Sequence, residues 1–403
     1  MDGAMAHSAK RNKLMNRSRV LRAVWRQPHV SRSEVAATLG LDKSTVSILV
    51  AELIEAGVLQ EVAEGSASKQ GGRRPIMLRI NSGYGNVLGI EVQPDYYRAV
   101  LCDLEGHVLG AVSEELGRDG REFDDHVSEV ISRIDGALGI RGRPLVGIGI
   151  ALGGLVDSMR GLIYGSIPME LTHEYDFGRR IASKLPVPAY VENDANACAL
   201  GELTFHRSTD VTDFLYVLVQ IRRRGFGNHP YGGIGVGVGI VTNGALYSGR
   251  NSTSGEFRSV FCTDSSVGQL TLTDEEASHV STDHDVRLRL FREVATNTAL
   301  IVNVLNLGHV FFGGDIMSYA DEFRSVLAEE IDRLWPYGGS VDCVIHPSTF
   351  GENAVAYGAA GMLLDRLFTD QVFPVGHVRD RDGHAQIITE LNEAMVQFGG
   401  DSN

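Results

Sequence analysis

The chain has 403 residues, 43% of them hydrophobic, 47 glycines and a formal net charge of −14. That length allows about two to three domains, and that composition buries a full core, which excludes a disordered or fibrous chain. The acidic balance argues against nucleic acid as a partner only until the chain is divided, because residues 1–80 hold 13 Lys and Arg against 7 Asp and Glu while the remainder holds 24 against 44. A basic module precedes an acidic body, so the basic end is the one phosphates attract.

Residues 1–13 are expected to be disordered. Apolar Leu14, Val20, Leu21, Val24 and Trp25 then recur at helical spacing, which predicts a helix over Leu14–Gln27 closed by Pro28. Ser31 or Ser33 can cap a second helix that runs to Leu39 and stops at Gly40. Asp42 or Ser44 can cap a third, Thr45–Ala56, with Val46, Leu49, Val50, Leu53 and Ile54 on its buried face. Two helices joined by Gly40-Leu41-Asp42 make a helix-turn-helix, and strands at Val58–Val62 and Ile76–Ile80 around a polar basic loop make a wing. These elements fill an expected winged-helix domain over residues 14–82.

In a helix-turn-helix the N-terminal residues of the second helix reach base edges in the major groove. Here those are Lys43, Ser44, Thr45 and Ser47, with Arg32 as a further candidate contact. The wing loop carries Gly72, Arg73 and Arg74 ahead of Pro75, a pair of cations on a glycine hinge that suits a narrow minor groove. A solvated basic loop beside a helical hairpin used for protein contacts is the plainer alternative.

From Asn86 the pattern becomes α/β. Strands are expected at Val87–Glu91, Arg98–Asp103, Leu109–Glu114, Leu145–Ala151 and Val187–Val191, with helices at Phe123–Leu138 and Asp194–Thr204. A second half opens with strands Phe214–Ile221 and Ile234–Thr242. It continues through helix Val286–Asn306, strand His309–Phe312, and helices Tyr319–Leu334 and Ala354–Phe368. The expected lobes are residues 83–205 and 206–368, with a cleft between them and a C-terminal extension over 369–403. Four cysteines without a C-x-x-C pair form neither a disulfide framework nor a zinc ribbon and suit a reducing cytoplasm. No apolar run is long enough to span a bilayer, and no signal-peptide pattern opens the chain.

Within this body, Leu88–Val100 occupies the place of a phosphate-binding turn but offers Gln93, Pro94 and Asp95. Proline has no N–H to give a phosphate, and Asp95 repels one. Further on stand Glu192-Asn193-Asp194-Ala195-Asn196, the glycine-rich run Gly147–Asp157, Gly233–Gly239, Asn243-Gly244, Ser254-Gly255-Glu256 and Gly313-Gly314. Together these motifs resemble the ROK family (repressors, open reading frames and sugar kinases) over roughly residues 14–368. The resemblance implies a two-lobed actin-like (ribonuclease H-like) core of the sugar-kinase type behind the winged helix-turn-helix.

Departures from the family pattern are informative. The family's kinases carry Asp-x-Gly-Gly-Thr in the first turn, where this chain has Glu91–Asp95, and Gly-Thr-Gly in the second loop, where it has Gly233-Ile234-Gly235. An insertion over 222–231 adds Arg222, Arg223 and Arg224. The family's zinc ligands, a Gly-His and a cysteine run after Ser-Gly-Glu, are replaced by Phe257-Arg258-Ser259 and a single Cys262. No cofactor or metal is therefore expected.

The sugar ligands of the family match Asn193, Asp194 and Glu256, and Gly154 stands where its backbone approaches the ring. Ser259 replaces a histidine that reads another hydroxyl. Asn193 and Asp194 also suit a simpler job, capping the helix they precede. The resemblance together with the helix-turn-helix leads to a transcription regulator, most readily a repressor, that reads double-stranded operator DNA under control of a sugar or sugar derivative; paired half-sites make a homodimer the expected unit, and the cysteines suit the cytoplasm. An ATP-dependent sugar kinase with an appended DNA module, or a regulator answering to a protein or another metabolite, are the alternatives. Replacing Arg73 or Arg74 by Ala should weaken DNA binding and lower its salt slope by roughly one per cation. Salt titrations that overlay the wild type at both positions would remove the wing from the interface.

Overall fold

The computed structural model describes residues 2–64, 75–117, 120–206, 211–221, 233–264, 266 and 268–369. The first helix, α1 (Asp2–Arg26), begins twelve residues before the expected Leu14. Residues 2–13, expected to be disordered, continue it: after Gly3 they include Ala4, Met5, Ala6, Ala9, Lys10 and Arg11, all strong helix formers, and no proline.

β1 (Val30–Ser31), α2 (Arg32–Leu39), α3 (Lys43–Glu55), β2 (Leu59–Glu64) and β3 (Ile76–Ile80) follow. The strands form one antiparallel sheet in the order β1-β3-β2. Ser31 is the cap of α2, and its hydroxyl and Glu34 close a reciprocal capping box that satisfies two orphan N–H groups. Gly40 ends the helix at φ 62°, a left-handed conformation that glycine adopts without strain. Asp42 is the N-cap of α3 but makes no side-chain bond there, and α3 starts at Lys43 rather than Thr45. Val46, Leu49, Val50 and Leu53 of α3 bury against Val20, Leu21 and Val24 of α1 and Val35 of α2.

The first lobe contains β4 (Asn86–Val92), β5 (Tyr96–Asp103), β6 (Val108–Glu115), α4 (Phe123–Leu138) and β7 (Leu145–Leu152). It continues through β8 (Leu155–Asp157), β9 (Leu162–Gly165), β10 (Tyr175–Asp176), α5 (Phe177–Ala182), β11 (Ala189–Asn193) and α6 (Asp194–Phe205). Its main sheet runs β11-β7-β4-β5-β6, with β4 antiparallel to β5 and parallel to β7. The small sheet β10-β9-β8 was not expected, since strands of two to four residues among glycines leave little periodicity to read.

The second lobe contains β12 (Phe214–Ile221), β13 (Ile234–Thr242), β14 (Ala245–Leu246), α7 (Asp274–Ser278), α8 (His284–Leu305), β15 (His309–Gly314), α9 (Ala320–Arg333), β16 (Val344–Pro347) and α10 (Ala354–Thr369). Its sheet runs β16-β15-β12-β13-β14, the same order as the first lobe with β12 in the place of β4. Pairing senses repeat as well: β12 is antiparallel to β13 and parallel to β15. β7 and β12 read as nearly unbroken apolar runs because helices cover their sheets.

The helix α10 meets three units at once. It crosses α6 so closely that a Cβ on Gly358 would stand 2.1 Å from the Ala197 carbonyl oxygen, so only glycine fits that crossing. It also lies along β4 and β7 and touches α1. At that contact Trp25 is buried, stacked on Phe368 with ring centroids 4.9 Å apart, and its indole N–H donates to the Leu104 carbonyl at 3.2 Å. Tyr357 of α10 donates to the Gly106 carbonyl at 2.9 Å. One hydrophobic cluster thus runs from Val20 of α1 to Phe368 of α10. Trp25→Ala should destabilise the chain by about 3–5 kcal/mol, the usual cost of truncating a buried aromatic. A denaturant midpoint within experimental error of the wild type would show that this joint bears no load.

Candidate DNA-reading surface and interlobe cavity

On α3 the buried face of Val46, Leu49 and Val50 leaves Lys43, Ser44 and Ser47 exposed and Thr45 half-buried. Sequence reasoning missed Ile48, which stands 59% exposed on the same helix. An apolar residue among short donors suits a thymine methyl, and its signal was an apolar position out of register with the buried stripe. Arg32, at the start of α2, is paired with Glu61 of β2 at 2.8 Å, so a phosphate would have to compete with that carboxylate. Gly72, Arg73 and Arg74 lie outside the described residues, as does the insertion 222–231.

Between the lobes lies a cavity of about 450 Å³ lined by all four expected ligand residues, Gly154, Asn193, Asp194 and Glu256. Both lobes and the loop after β14 supply its walls, and Ile167 and Pro168 give it an apolar side from the first lobe. Asn193 is the N-cap of α6: its Oδ1 accepts from the N–H groups of Ala195 and Asn196 at 3.0 and 3.1 Å. Its Nδ2 donates to the Gly154 carbonyl at 3.0 Å, which ties the glycine loop to the helix start. The capping role expected as an alternative therefore holds for Asn193, which lines the cavity mainly as a brace. Asp194, the first residue of α6, is 6% exposed and lines the cavity at the positive end of the helix, its Oδ1 accepting from Ala195 N at 2.9 Å.

Glu256 stands on the cavity rim. Enclosure by the cleft pushes its carboxyl above the usual range, and the nearby Asp194 carboxylate adds to that shift. Its loop is pinned by Gly255 at φ 88°, where a Cβ would stand 1.7 Å from the Val238 carbonyl oxygen. Ser259, expected in the pocket, turns inward instead: it is 4% exposed and accepts from Asn297 of α8 at 3.2 Å. Arg258 lines the cavity in its stead, its Nη2 donating to the carbonyls of Thr263 and Ser266. Replacement of a glycine by arginine two residues after Glu256 was the available signal.

The loop after Glu256 does not fit zinc. Its one thiol, Cys262, contacts the Gln269 carbonyl at 3.4 Å, and among the described residues no group of four N or S ligands gathers there. The Gln269 side chain holds the loop instead: Oε1 accepts from Val236 N, and Nε2 donates to the carbonyls of Val236 and Phe257. A side-chain amide thus fastens the segment bearing Glu256 to β13.

The turns beside the cavity are occupied by the chain's own groups. Gln93 N donates to Tyr96 O at 3.0 Å across the β4–β5 turn. Below that turn Glu91 is fully buried, and it accepts from Gln93 Nε2, Tyr96 OH, Arg98 Nη1 and Gln220 Nε2. Burial pushes its carboxyl up, opposed by Arg98 and Tyr96 and reinforced by Asp194. At the β12–β13 end, Gly233 N donates to Asp274 and Ile221 N to Asp315. Gln220, Gln269, Arg258 and Ser266 are cavity-side polar residues that sequence reasoning did not select.

A basic winged helix followed by two repeated α/β lobes with a polar cavity between them is the architecture of a DNA reader joined to a sugar-kinase-like core. A ROK family model matches residues 87–260, and a MarR family model matches residues 14–70. The chain thus carries a ROK family domain with a MarR-type winged helix ahead of it. It is 27% identical over 393 residues to the xylose repressor of Bacillus subtilis (strain 168), covering 89% of this chain and 97% of that protein. It is 26% identical over 245 residues to the DNA-binding transcriptional dual regulator NagC of Escherichia coli (strain K12), covering 60% of this chain and 56% of that one. The fold matches a ROK family transcriptional regulator, a homolog of the E. coli MLC protein, with a TM-score of 0.70 at 20% identity, over 90% of this chain and 99% of that one. It also matches a ROK family glucokinase from Streptomyces griseus in complex with glucose and AMPPNP, at a TM-score of 0.54 and 18% identity, over 69% of this chain and 99% of the enzyme. Among the described residues, no helix is long and apolar enough to cross a membrane.

Gln269→Leu should free the loop over 254–264, raising its amide hydrogen exchange by tenfold or more as three hydrogen bonds are lost. Exchange equal to the wild type in that segment would show that the amide is dispensable.

Proposed function

We propose that this chain is a sugar-responsive transcriptional repressor. Its winged helix reads operator DNA, and its interlobe cavity takes a sugar or sugar derivative as effector. The observation that carries this reading is one cavity lined by Asp194, Glu256 and the Gly154 backbone, beside turns whose N–H groups already serve the chain's own acceptors. Carboxylates beside an apolar wall match the hydroxyls and C–H face of a sugar, and a site of buried polar groups rejects ligands that leave them unpaired. The names of the similar proteins, xylose repressor and NagC, a DNA-binding regulator, support the same reading.

Catalysis is not part of the proposal, although Asp194 is retained where the family's kinases hold a general base. A triphosphate needs N–H donors and cations, whereas the N–H groups of Gly233 and Ile221 already donate to Asp274 and Asp315. The kinase reading makes a different forecast, namely ADP release from ATP with a panel of hexoses and pentoses. Lys43, Ser44, Thr45, Ser47 and Ile48 are proposed to face the major groove, with Gly72, Arg73 and Arg74 on the wing and Arg32 beside them. Helix-turn-helix readers occupy two half-sites about one helical turn apart, so the proposed unit is a homodimer on a pseudo-palindromic site.

Asp194→Ala should leave DNA affinity within about twofold and abolish its response to sugar. Electrophoretic shifts with upstream DNA fragments, with and without D-xylose or N-acetylglucosamine, measure both quantities. A variant that still responds like the wild type would remove Asp194 from the effector site, and ADP production by the wild type would replace the repressor reading with the kinase one.

A further inference from the structure

Glu91 and Gln220 occupy equivalent places in the two lobes. Glu91 is the penultimate residue of β4 and Gln220 the penultimate residue of β12, the matching strands of two sheets with the same order. Their side chains meet across the cleft, Gln220 Nε2 donating to Glu91 Oε1 at 3.2 Å. Glu91 does not line the cavity, whereas Gln220 does, beside Asp194 and Leu218. The Gln220 amide therefore faces a buried carboxylate of the first lobe on one side and the cavity on the other.

We propose that the Glu91–Gln220 hydrogen bond is an interlobe latch, and that the effector opens it by taking the Gln220 amide for itself. This rests on the reading of the cavity as an effector site. A ligand moves a conformational equilibrium only through interactions that differ between the two states. An amide that serves either Glu91 or the ligand supplies such a difference. Glu91 keeps Tyr96 OH, Arg98 Nη1 and Gln93 Nε2 when the latch opens, so its buried carboxylate is not left bare. A hydrogen bond to a charged acceptor is worth roughly ten- to hundredfold in an equilibrium, enough to set which lobe arrangement prevails.

Two variants separate the latch from a merely structural role. Glu91→Leu removes the acceptor and frees Gln220 for the ligand, while Gln220→Leu removes the donor from both partners. Amide hydrogen exchange of the ligand-free full-length protein over 91–98 and 214–221 should rise several-fold or more in both. D-xylose binding by calorimetry should tighten about three- to tenfold in Glu91→Leu and weaken about tenfold or more in Gln220→Leu. Opposite signs are the signature, because loss of packing alone would weaken both. If Glu91→Leu does not fold, Glu91→Gln, which keeps the side-chain shape and weakens the acceptor, takes its place, with D-xylose binding still expected to tighten while Gln220→Leu weakens it. Exchange unchanged from the wild type in folded variants, or weakened D-xylose binding in both, would overturn the latch. Faster exchange with no D-xylose binding by any form, wild type included, would support the latch while removing D-xylose as the effector.

Discussion

The seating of α10 is the constraint on which the rest of the structure depends. This helix packs on α6, on β4 and β7 of the first lobe, and on α1 of the DNA-reading unit. Gly358 lets it approach α6 to backbone contact, and Phe368 near its C-terminal end receives Trp25. A displacement of α10 would be felt at once by the strand that carries Glu91 and by the helix that enters the winged unit. Close-packed interiors transmit such shifts because they have few voids to absorb them.

The cavity has a division of labour that its residue types alone do not convey. Asp194 and Glu256 present acceptors, whereas Asn193 spends its amide on the helix start and the Gly154 carbonyl. Gln269 fixes the segment that carries Glu256 through its side-chain amide. Three acids, Glu91, Asp274 and Asp315, accept donors around the ends of β4, β12 and β13.

Much of this was legible along the chain because the signals are local. The helix-turn-helix was written in Ser31, Glu34 and Gly40 and in the spacing of Val46, Leu49, Val50 and Leu53. Asp194 and Glu256 were marked by the short motifs around them. The long helix through residues 2–13 was misjudged because polar residues with high helix propensity look like a disordered tail when no apolar stripe accompanies them. Ile48 escaped notice since exposure on a helix depends on what the neighbouring elements cover.

By itself the sequence determined the class of each segment, the repeat of α/β halves, the poverty of the phosphate turns and the candidate acids, since all of these follow from periodicity, caps and residue chemistry. Only the tertiary structure decided which way side chains face and whom they meet. It turned Ser259 toward Asn297, brought Arg258 into the cavity, joined Glu91 to Gln220 across 129 positions and laid Trp25 on Phe368. The physical reason is that hydrogen bonds and ring contacts between distant strands and helices depend on how sheets and helices pack, and no short window of residues carries that geometry.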